Sequence, residues 1–265
     1  MCKNKPYWNL VYKIGQSNYN LRVLYFIKKQ LGYGSIYLES NTNNAEFRVS
    51  NRNVISEVIF PIFEKYPLLT SKYFDYLKFK KAYEIITNLN LSSEEKNNLL
   101  FMLKNNEKPK DYVSPIWKKV NNKISNRDEA KNIMSKFWLV GFTEAEGSFY
   151  LVKKDKIRLV HAFEITQKLD IIVLESIGRI LGIKVRNKKK YTTIVTTNSR
   201  TINNIIDYYK NTMKGMKALE YRIWAKSFIK NKGNYNELNK VRNIMRNIRL
   251  IRLDKNCHIK SCDIK

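Results

Sequence analysis

The sequence is short of the residues that usually carry covalent, redox or imidazole chemistry: 3 cysteines and 2 histidines in 265 residues. The cysteines, Cys2, Cys257 and Cys262, all sit at the chain ends. An odd count outside the body argues against a disulfide framework and fits a reducing compartment. Cys257-His258 with Cys262 hints at zinc, but the spacing supplies no full set of four ligands and the tail is polar. No glycine-rich phosphate loop is present, which removes the nucleotide-hydrolysing P-loop class. No apolar run approaches the ~20 residues that span a bilayer. Met1 to Leu10 lacks the apolar core of a secretory signal.

Acidic residues are also scarce. Against 23 Asp and Glu stand 50 Lys and Arg, a net charge of +27. Such an excess repels itself unless a polyanion screens it, and the commonest polyanion is nucleic acid. The basic residues are spread along the whole chain, which speaks against an amphipathic membrane-surface stretch. A basic structural protein remains an alternative on charge alone. Hydrophobic residues make up 43%, enough for a packed core rather than disorder. The length allows one large domain or two smaller ones. Lys, Asn, Ile and Tyr are abundant, and their codons are AT-rich, which points to an AT-rich genome such as a mitochondrial one.

The chain repeats itself. Lys-Ile-Gly-Gln-Ser at 13–17 matches Glu-Ile-Thr-Gln-Lys at 164–168, an offset of 151 from Gln16 to Gln167. Leu31-Gly32 matches Leu181-Gly182 at offset 150, Ser50-Asn51-Arg52 matches Asn198-Ser199-Arg200 at 148, and Lys72 to Tyr76 matches Lys217 to Tyr221 at 145. Four matches in one order, with a shrinking offset, describe two copies of one unit separated by short loop deletions. In the first copy the patterns predict a strand over 8–16, a helix over 21–31 capped by Gly32, a hairpin of 35–39 and 45–50, a helix opening at Asn53 and ending before Pro67, and a helix over 71–87. The second copy repeats this: strand 158–166, helix 171–181, hairpin 184–196, and helices from Thr201 and Lys217. The expected class is α+β, two pseudo-symmetric units each with an antiparallel β-saddle packed against helices. The expected divisions are 1–90 for the first unit, 91–134 for a polar, partly helical linker, 135–232 for the second unit, and 233–265 for a basic C-terminal helix and tail.

The second copy opens with Phe-Trp-Leu-Val-Gly-Phe-Thr-Glu-Ala-Glu-Gly-Ser-Phe at 137–149. This reads as a short apolar helix with Gly141 in mid-face, Glu144 and Glu146 at its C-terminal end, and Gly147 stopping it. Glycine inside a helix costs ~1 kcal/mol relative to alanine, so it calls for a reason such as the close approach of a second helix. An acid at a helix C-terminus opposes the helix dipole, and such a carboxylate often holds a cation. The plain alternative is a core helix with two solvated glutamates.

Leu139 to Gly147, followed by Ser148-Phe149, resembles the LAGLIDADG motif of homing endonucleases and intron maturases. The resemblance extends over both copies. In the first, Gly32 to Ile36, Phe47 to Ser50 and Lys65 to Leu68 are similar to family blocks. It implies that two such helices pack at a pseudo-two-fold axis and that each brings one acid, here Glu146, to hold divalent metal, usually Mg²⁺, between scissile phosphates. It implies supporting roles for Gln167 and Lys217, matched in the first copy by Gln16 and Lys72; a strand-end polar residue and a solvated lysine are the plain alternatives. It places the strands in the major groove of double-stranded DNA, with Lys153, Lys156, Arg158, Lys184, Arg186, Lys188 and Lys190 alternating toward phosphates or base edges. Applying the offset of 151 to Glu146 puts its first-copy partner six residues ahead of Met1, so the first motif helix and first strand are expected in an upstream, exon-encoded segment. The implied function is an intron-encoded, site-specific DNA endonuclease of the mitochondrial matrix, whose cleavage by these residues alone is in doubt. The alternatives are an RNA maturase assisting its host intron and a non-catalytic nucleic-acid-binding remnant.

Overall fold

The protein is described by a computed structural model covering residues 8–39 and 42–253. Cys2, Cys257, His258 and Cys262 lie outside the described residues. The chain forms two α+β units. The first contains β1 (Tyr12–Ser17), α1 (Leu21–Leu31), β2 (Ser35–Leu38), β3 (Asn44–Val49), α2 (Arg52–Val54), a π-helical turn (Ile55–Ile59), α3 (Phe60–Lys65) and α4 (Lys72–Thr87). The second contains α7 (Lys136–Glu146), β4 (Gly147–Asp155), β5 (Arg158–Gln167), α8 (Ile171–Leu181), β6 (Val185–Asn187), β7 (Thr192–Thr196), α9 (Ser199–Tyr209) and α10 (Lys217–Asn231). Between them run α5 (Ser93–Asn105), a short 3₁₀ helix (Pro115–Val120) and α6 (Arg127–Ile133); α11 (Tyr235–Leu253) follows. No described helix is long and apolar enough to cross a membrane.

Both sheets are antiparallel. The first has strand order β1-β3-β2, the second β4-β5-β7-β6. The two units share their parts: β1 with β5, α1 with α8, the β2–β3 hairpin with β6–β7, and α4 with α10. Glycines with left-handed φ, 75° at Gly32 and 70° at Gly182, close α1 and α8 as the sequence predicts. Asn51 and Asn198 cap the helices after each hairpin by accepting backbone N–H bonds. The equivalence is therefore Asn51 with Asn198, one residue from the pairing that the bare sequence suggests. The helix in the first unit accordingly starts at Arg52, because its cap is Asn51. The first strand starts at Tyr12 rather than Trp8, whose indole N–H donates to Asn97 of α5 at 2.9 Å. Among the described residues, α7 and β4 have no counterpart in the first unit.

Each unit has its own core. Alternation along β3 turns Ala45, Phe47 and Val49 inward against Leu24, Ile55, Ile59 and Phe60. The larger core gathers Phe149, Phe163, Ile165 and Ile194 from the second sheet with Leu174, Ile177, Tyr209 and Trp224 from its helices. The connecting segment belongs to this core: Trp117 is fully buried in it and its indole N–H donates to the Leu69 carbonyl at 2.8 Å. Ser114 likewise donates to the Leu68 carbonyl. These bonds fasten the segment to the loop ahead of α4. His161 is buried against Trp224 and Phe228, with Nε2 2.8 Å from the Ser227 hydroxyl. Burial lowers its pKa to about 4, so it is a neutral core residue.

Candidate nucleic-acid interface and metal-bearing acid

Helix α7 is capped by Ser135, whose hydroxyl accepts from the Trp138 N–H. Leu139, Val140 and Thr143 form its buried face. The Thr143 hydroxyl lies 2.7 Å from the hydroxyl of Tyr209, whose pKa is raised chiefly by burial. Gly147 follows at once, and β4 turns away so sharply that a Cβ there would stand 2.7 Å from the Thr143 carbonyl oxygen. The chain thus leaves the helix at Glu146 with no room for another side chain at 147. Leu139 is fully buried inside the second unit and Phe142 stacks on Trp138 at 4.9 Å. The exposed face is Phe137, Gly141 and Ala145. A Cβ on Gly141 would meet nothing within 4 Å. Leu139 is not part of that face, because the helix turns it toward its own unit.

The two acids of α7 have different surroundings. Residues two apart on a helix are rotated by about 200°, so Glu144 and Glu146 point to opposite sides. Glu144 accepts the backbone N–H groups of Lys214 and of Gly215, the latter at 2.8 Å. These amides precede α10, where a carboxylate suits the positive end of the helix dipole. Glu146 is exposed and makes no hydrogen bond or ion pair among the described residues.

Gly215 sits where three parts meet. A Cβ on it would lie 2.5 Å from the Glu144 carboxylate and 2.6 Å from Asn20 Oδ1. Asn20, in the first unit, accepts the Met216 N–H at 2.9 Å and donates to Gln16 Oε1 at 3.0 Å. Gln16 is therefore linked through Asn20 to the turn that holds Glu144. The mirrored arrangement occurs at the other contact. Asp170, three residues after Gln167, accepts from the Ser71 N–H at 2.7 Å and from its hydroxyl at 3.2 Å. Each unit thus grips the start of the other's long helix, Asn20 at α10 and Asp170 at α4. Burial raises the pKa of Asp170 and the Ser71 bonds oppose that rise. Asn20 and Asp170 were missed as sequence candidates, although they stand at the offset of 150 shared by Gly32 and Gly182.

Gln167 ends β5 half-buried, in register with Thr192. Lys72 and Lys217 are the first residues of α4 and α10 and each pairs with an acid three residues on. Lys72 is exposed beside Asp75 at 3.2 Å. Lys217 is buried beside Glu220 at 3.5 Å, so it is not the solvated lysine that was its plain alternative.

The seven basic candidates of the second unit are all exposed, but they do not alternate along the sheet. Register places Arg158 and Arg186 on the open face, with Tyr150, Glu164, Thr166 and Thr193. Lys153 continues the inward-facing row of Phe149 and Leu151, past the end of the core. Lys156 lies in the β4–β5 turn, Lys184 precedes β6, and Lys188 and Lys190 lie in the β6–β7 turn. The central open face needs its short polar side chains, because Tyr150, Thr166 and Thr193 all donate to Glu164. The cations are displaced to strand ends and turns. On the first sheet the open-face acid is Glu46, held by Arg48 at 2.6 Å and Lys13 at 3.3 Å, and its pKa is lowered chiefly by the Arg48 bond. Among the described residues no group of three or more His, Cys, Asp or Glu is placed to hold a metal. Glu146 offers one unengaged carboxylate, which fits a hydrated hard cation completed by phosphate oxygens rather than a closed protein cage.

Two units of matching elements, reciprocal contacts at the starts of α4 and α10, and an acid-ended helix opening the second unit form a repeated α+β architecture. The family described as LAGLIDADG endonuclease matches residues 2–83 and 139–228. The chain belongs to this family. It is 38% identical over 256 residues to a probable intron-encoded endonuclease, Cox1-I1b, of Schizosaccharomyces pombe, covering 93% of this chain and 62% of that protein. It is 24% identical to probable intron-encoded endonuclease 3 of Neurospora crassa, over 82% of this chain and 43% of the relative. The chain thus spans between about two fifths and three fifths of these curated relatives. The LAGLIDADG homing endonuclease I-SmaMI bound to cleaved DNA superposes with a TM-score of 0.69 at 26% identity, covering 90% of this chain and 84% of that one.

Proposed function

We propose that the protein is an intron-encoded, site-specific endonuclease that hydrolyses phosphodiester bonds of double-stranded DNA with Mg²⁺. The observation that carries this reading is the division of labour on α7: Glu144 is held by backbone amides, and Glu146, at the helix end, is free to bind a cation. A bound Mg²⁺ supplies charge neutralisation at a scissile phosphate and a polarised water. Glu144 fixes the end of α7 against α10 and so orients Glu146. Gln16 and Gln167, at equivalent strand ends, supply amide groups beside the junction. The antiparallel ribbons suit the wide major groove of B-form DNA, whereas the deep, narrow major groove of A-form RNA does not admit them. Glu46 and Glu164 on the open faces offer acceptors to the exocyclic amine of cytosine. The exposed face of α7, with Gly141 and Ala145 beside Phe137, is where the second motif helix, from an upstream exon-encoded segment, would pack and bring a second acid. The intron-encoded relatives make the expected site of action organellar.

The test is plasmid cleavage by protein expressed together with its upstream reading frame. Glu146→Gln should abolish Mg²⁺-dependent cleavage and leave duplex binding in Ca²⁺ near wild type. Full cleavage by Glu146→Gln would overturn the assignment, and loss of folding together with binding would favour a structural role for the helix end.

A further inference from the structure

Helix α11 lies beyond residue 228, where the family match ends. It carries Lys240, Arg242, Arg246, Arg249 and Arg252 against one acid, Glu237. Its apolar side holds it to the second sheet: Leu238 is buried against Leu151 and Leu159, and Met245 joins the main core. These contacts bring α11 against β4, the edge strand of the sheet. The arginines at 242, 246 and 249 lie on the adjoining side of the helix. With Tyr150, Val152 and Lys153 they line a groove of about 410 Å³ along that edge. The Arg249 guanidinium stands 5.9 Å from the centre of the Tyr150 ring. Tyr150 projects on the open face of the sheet and donates to Glu164 there. Arg249 therefore reaches the same face that the proposed DNA would cover.

The three arginines make no ion pair with a carboxylate among the described residues. Glu237, the acid of α11, is taken by Lys240 at 2.7 Å. Along a helix the arginines rise by about 6 and 4.5 Å in succession. Each DNA strand carries a phosphate about every 3.4 Å of helix axis, so the stripe spans roughly three phosphates of one strand. Guanidinium groups suit phosphate oxygens because their planar fork donates two bonds at once.

We infer that Arg242, Arg246 and Arg249, along the edge of β4, form a phosphate rail that grips one strand of the duplex beside the sheet. The inference rests on the DNA-binding reading and extends it to a helix outside the family match. The rail contributes affinity and register but no base discrimination, because phosphates carry no sequence information.

The experiment measures binding of the full chain to a mixed-sequence DNA duplex across a range of salt. Replacing all three arginines by glutamine should make the log–log slope shallower by roughly 2–3, at about 0.9 per lost phosphate contact. A matched variant, Lys118→Gln/Lys119→Gln/Lys123→Gln, removes the same charge from exposed positions in the connecting segment and should keep the wild-type slope. If both triple variants lose slope equally, the effect is net charge and the rail is overturned. If the arginine variant keeps a steep wild-type slope, the rail is overturned while DNA binding stands. A flat response in the wild-type chain overturns the DNA-binding reading and the rail with it. Should the arginine triple variant fail to fold, the exposed Arg246→Gln alone should flatten the slope by about 0.9, and an unchanged slope there counts against the rail.

Discussion

The two units begin their long helices with the same pair, a lysine followed three residues later by an acid, and bury it to very different degrees. In the second unit Lys217 and Glu220 have side chains only 7% and 4% exposed. In the first, Lys72 and Asp75 are 74% and 50% exposed. The difference comes from what packs on the helix. Strand β4 lies over α10, where the Trp224 indole N–H donates to the Tyr150 carbonyl and Phe149 meets Tyr221 at 5.4 Å. Among the described residues the first unit has no counterpart of β4 to do this for α4. The same local chemistry is therefore an exposed contact in one unit and a desolvated ion pair in the other.

The sharpest way to break that comparison is to remove the acid from each pair. Glu220→Ala leaves a buried ammonium short of its acid, and losses of about 3–5 kcal/mol are typical of that defect. Asp75→Ala removes an exposed pair and should cost no more than about 0.5 kcal/mol. Urea unfolding of the two variants measures the difference. Equal effects would mean that Lys217 is as solvated as Lys72.

The contacts between units sharpen the comparison further. Asp170 and Asn20 do the same job at equivalent positions, accepting the N–H groups at the start of the other unit's long helix, yet one is an acid and the other an amide. Asp170→Ala orphans the Ser71 donors and should cost about 1–3 kcal/mol. Asn20→Ala should cost about 1 kcal/mol, as for loss of a helix cap. Asp170→Asn should be nearly neutral, because Asn20 shows that an amide oxygen serves. Burial already works against the carboxylate charge at 170. Thermal unfolding of the three variants checks this. A large loss with Asp170→Asn would mean that the charge itself is needed at that contact.

Much of this organisation is legible in the sequence, because hydrophobic period and turn residues are local signals. The α8 limits, the Gly32 and Gly182 caps and the end of α7 at Gly147 follow from spacing alone. The family resemblance singles out Glu146 for the same reason: its motif is contiguous. What could not be read depends on residues far apart in the chain. Nothing near Glu144 announces that Lys214 and Gly215 will meet it. Nothing near Lys217 announces its burial, which β4 and its neighbours decide. The basic strand residues look alternating in sequence, yet the sheet register sends Lys153 to the wrong side of that pattern and moves other cations into turns. The connecting segment reads as polar, but one tryptophan, Trp117, commits it to the core of the second unit.

The smallest expected effect tests the asymmetry of the motif helix. Gly141 lies on the exposed side of α7, and a Cβ there would meet nothing within 4 Å. In this chain Gly141→Ala should therefore stabilise the fold by up to about 1 kcal/mol, the helix-propensity difference between the two residues. Gly147→Ala, whose Cβ would crowd the Thr143 carbonyl, should destabilise it. If a second motif helix packs against α7, the sign at Gly141 depends on the partner. In protein expressed with its upstream reading frame, such a helix would be held off by the added methyl and the gain should shrink or reverse. Unfolding both forms, with and without the substitution, gives a coupling that each form alone cannot. An identical gain in the two forms would mean that no helix approaches Gly141, and the second acid of the proposed site would have to arrive by another route.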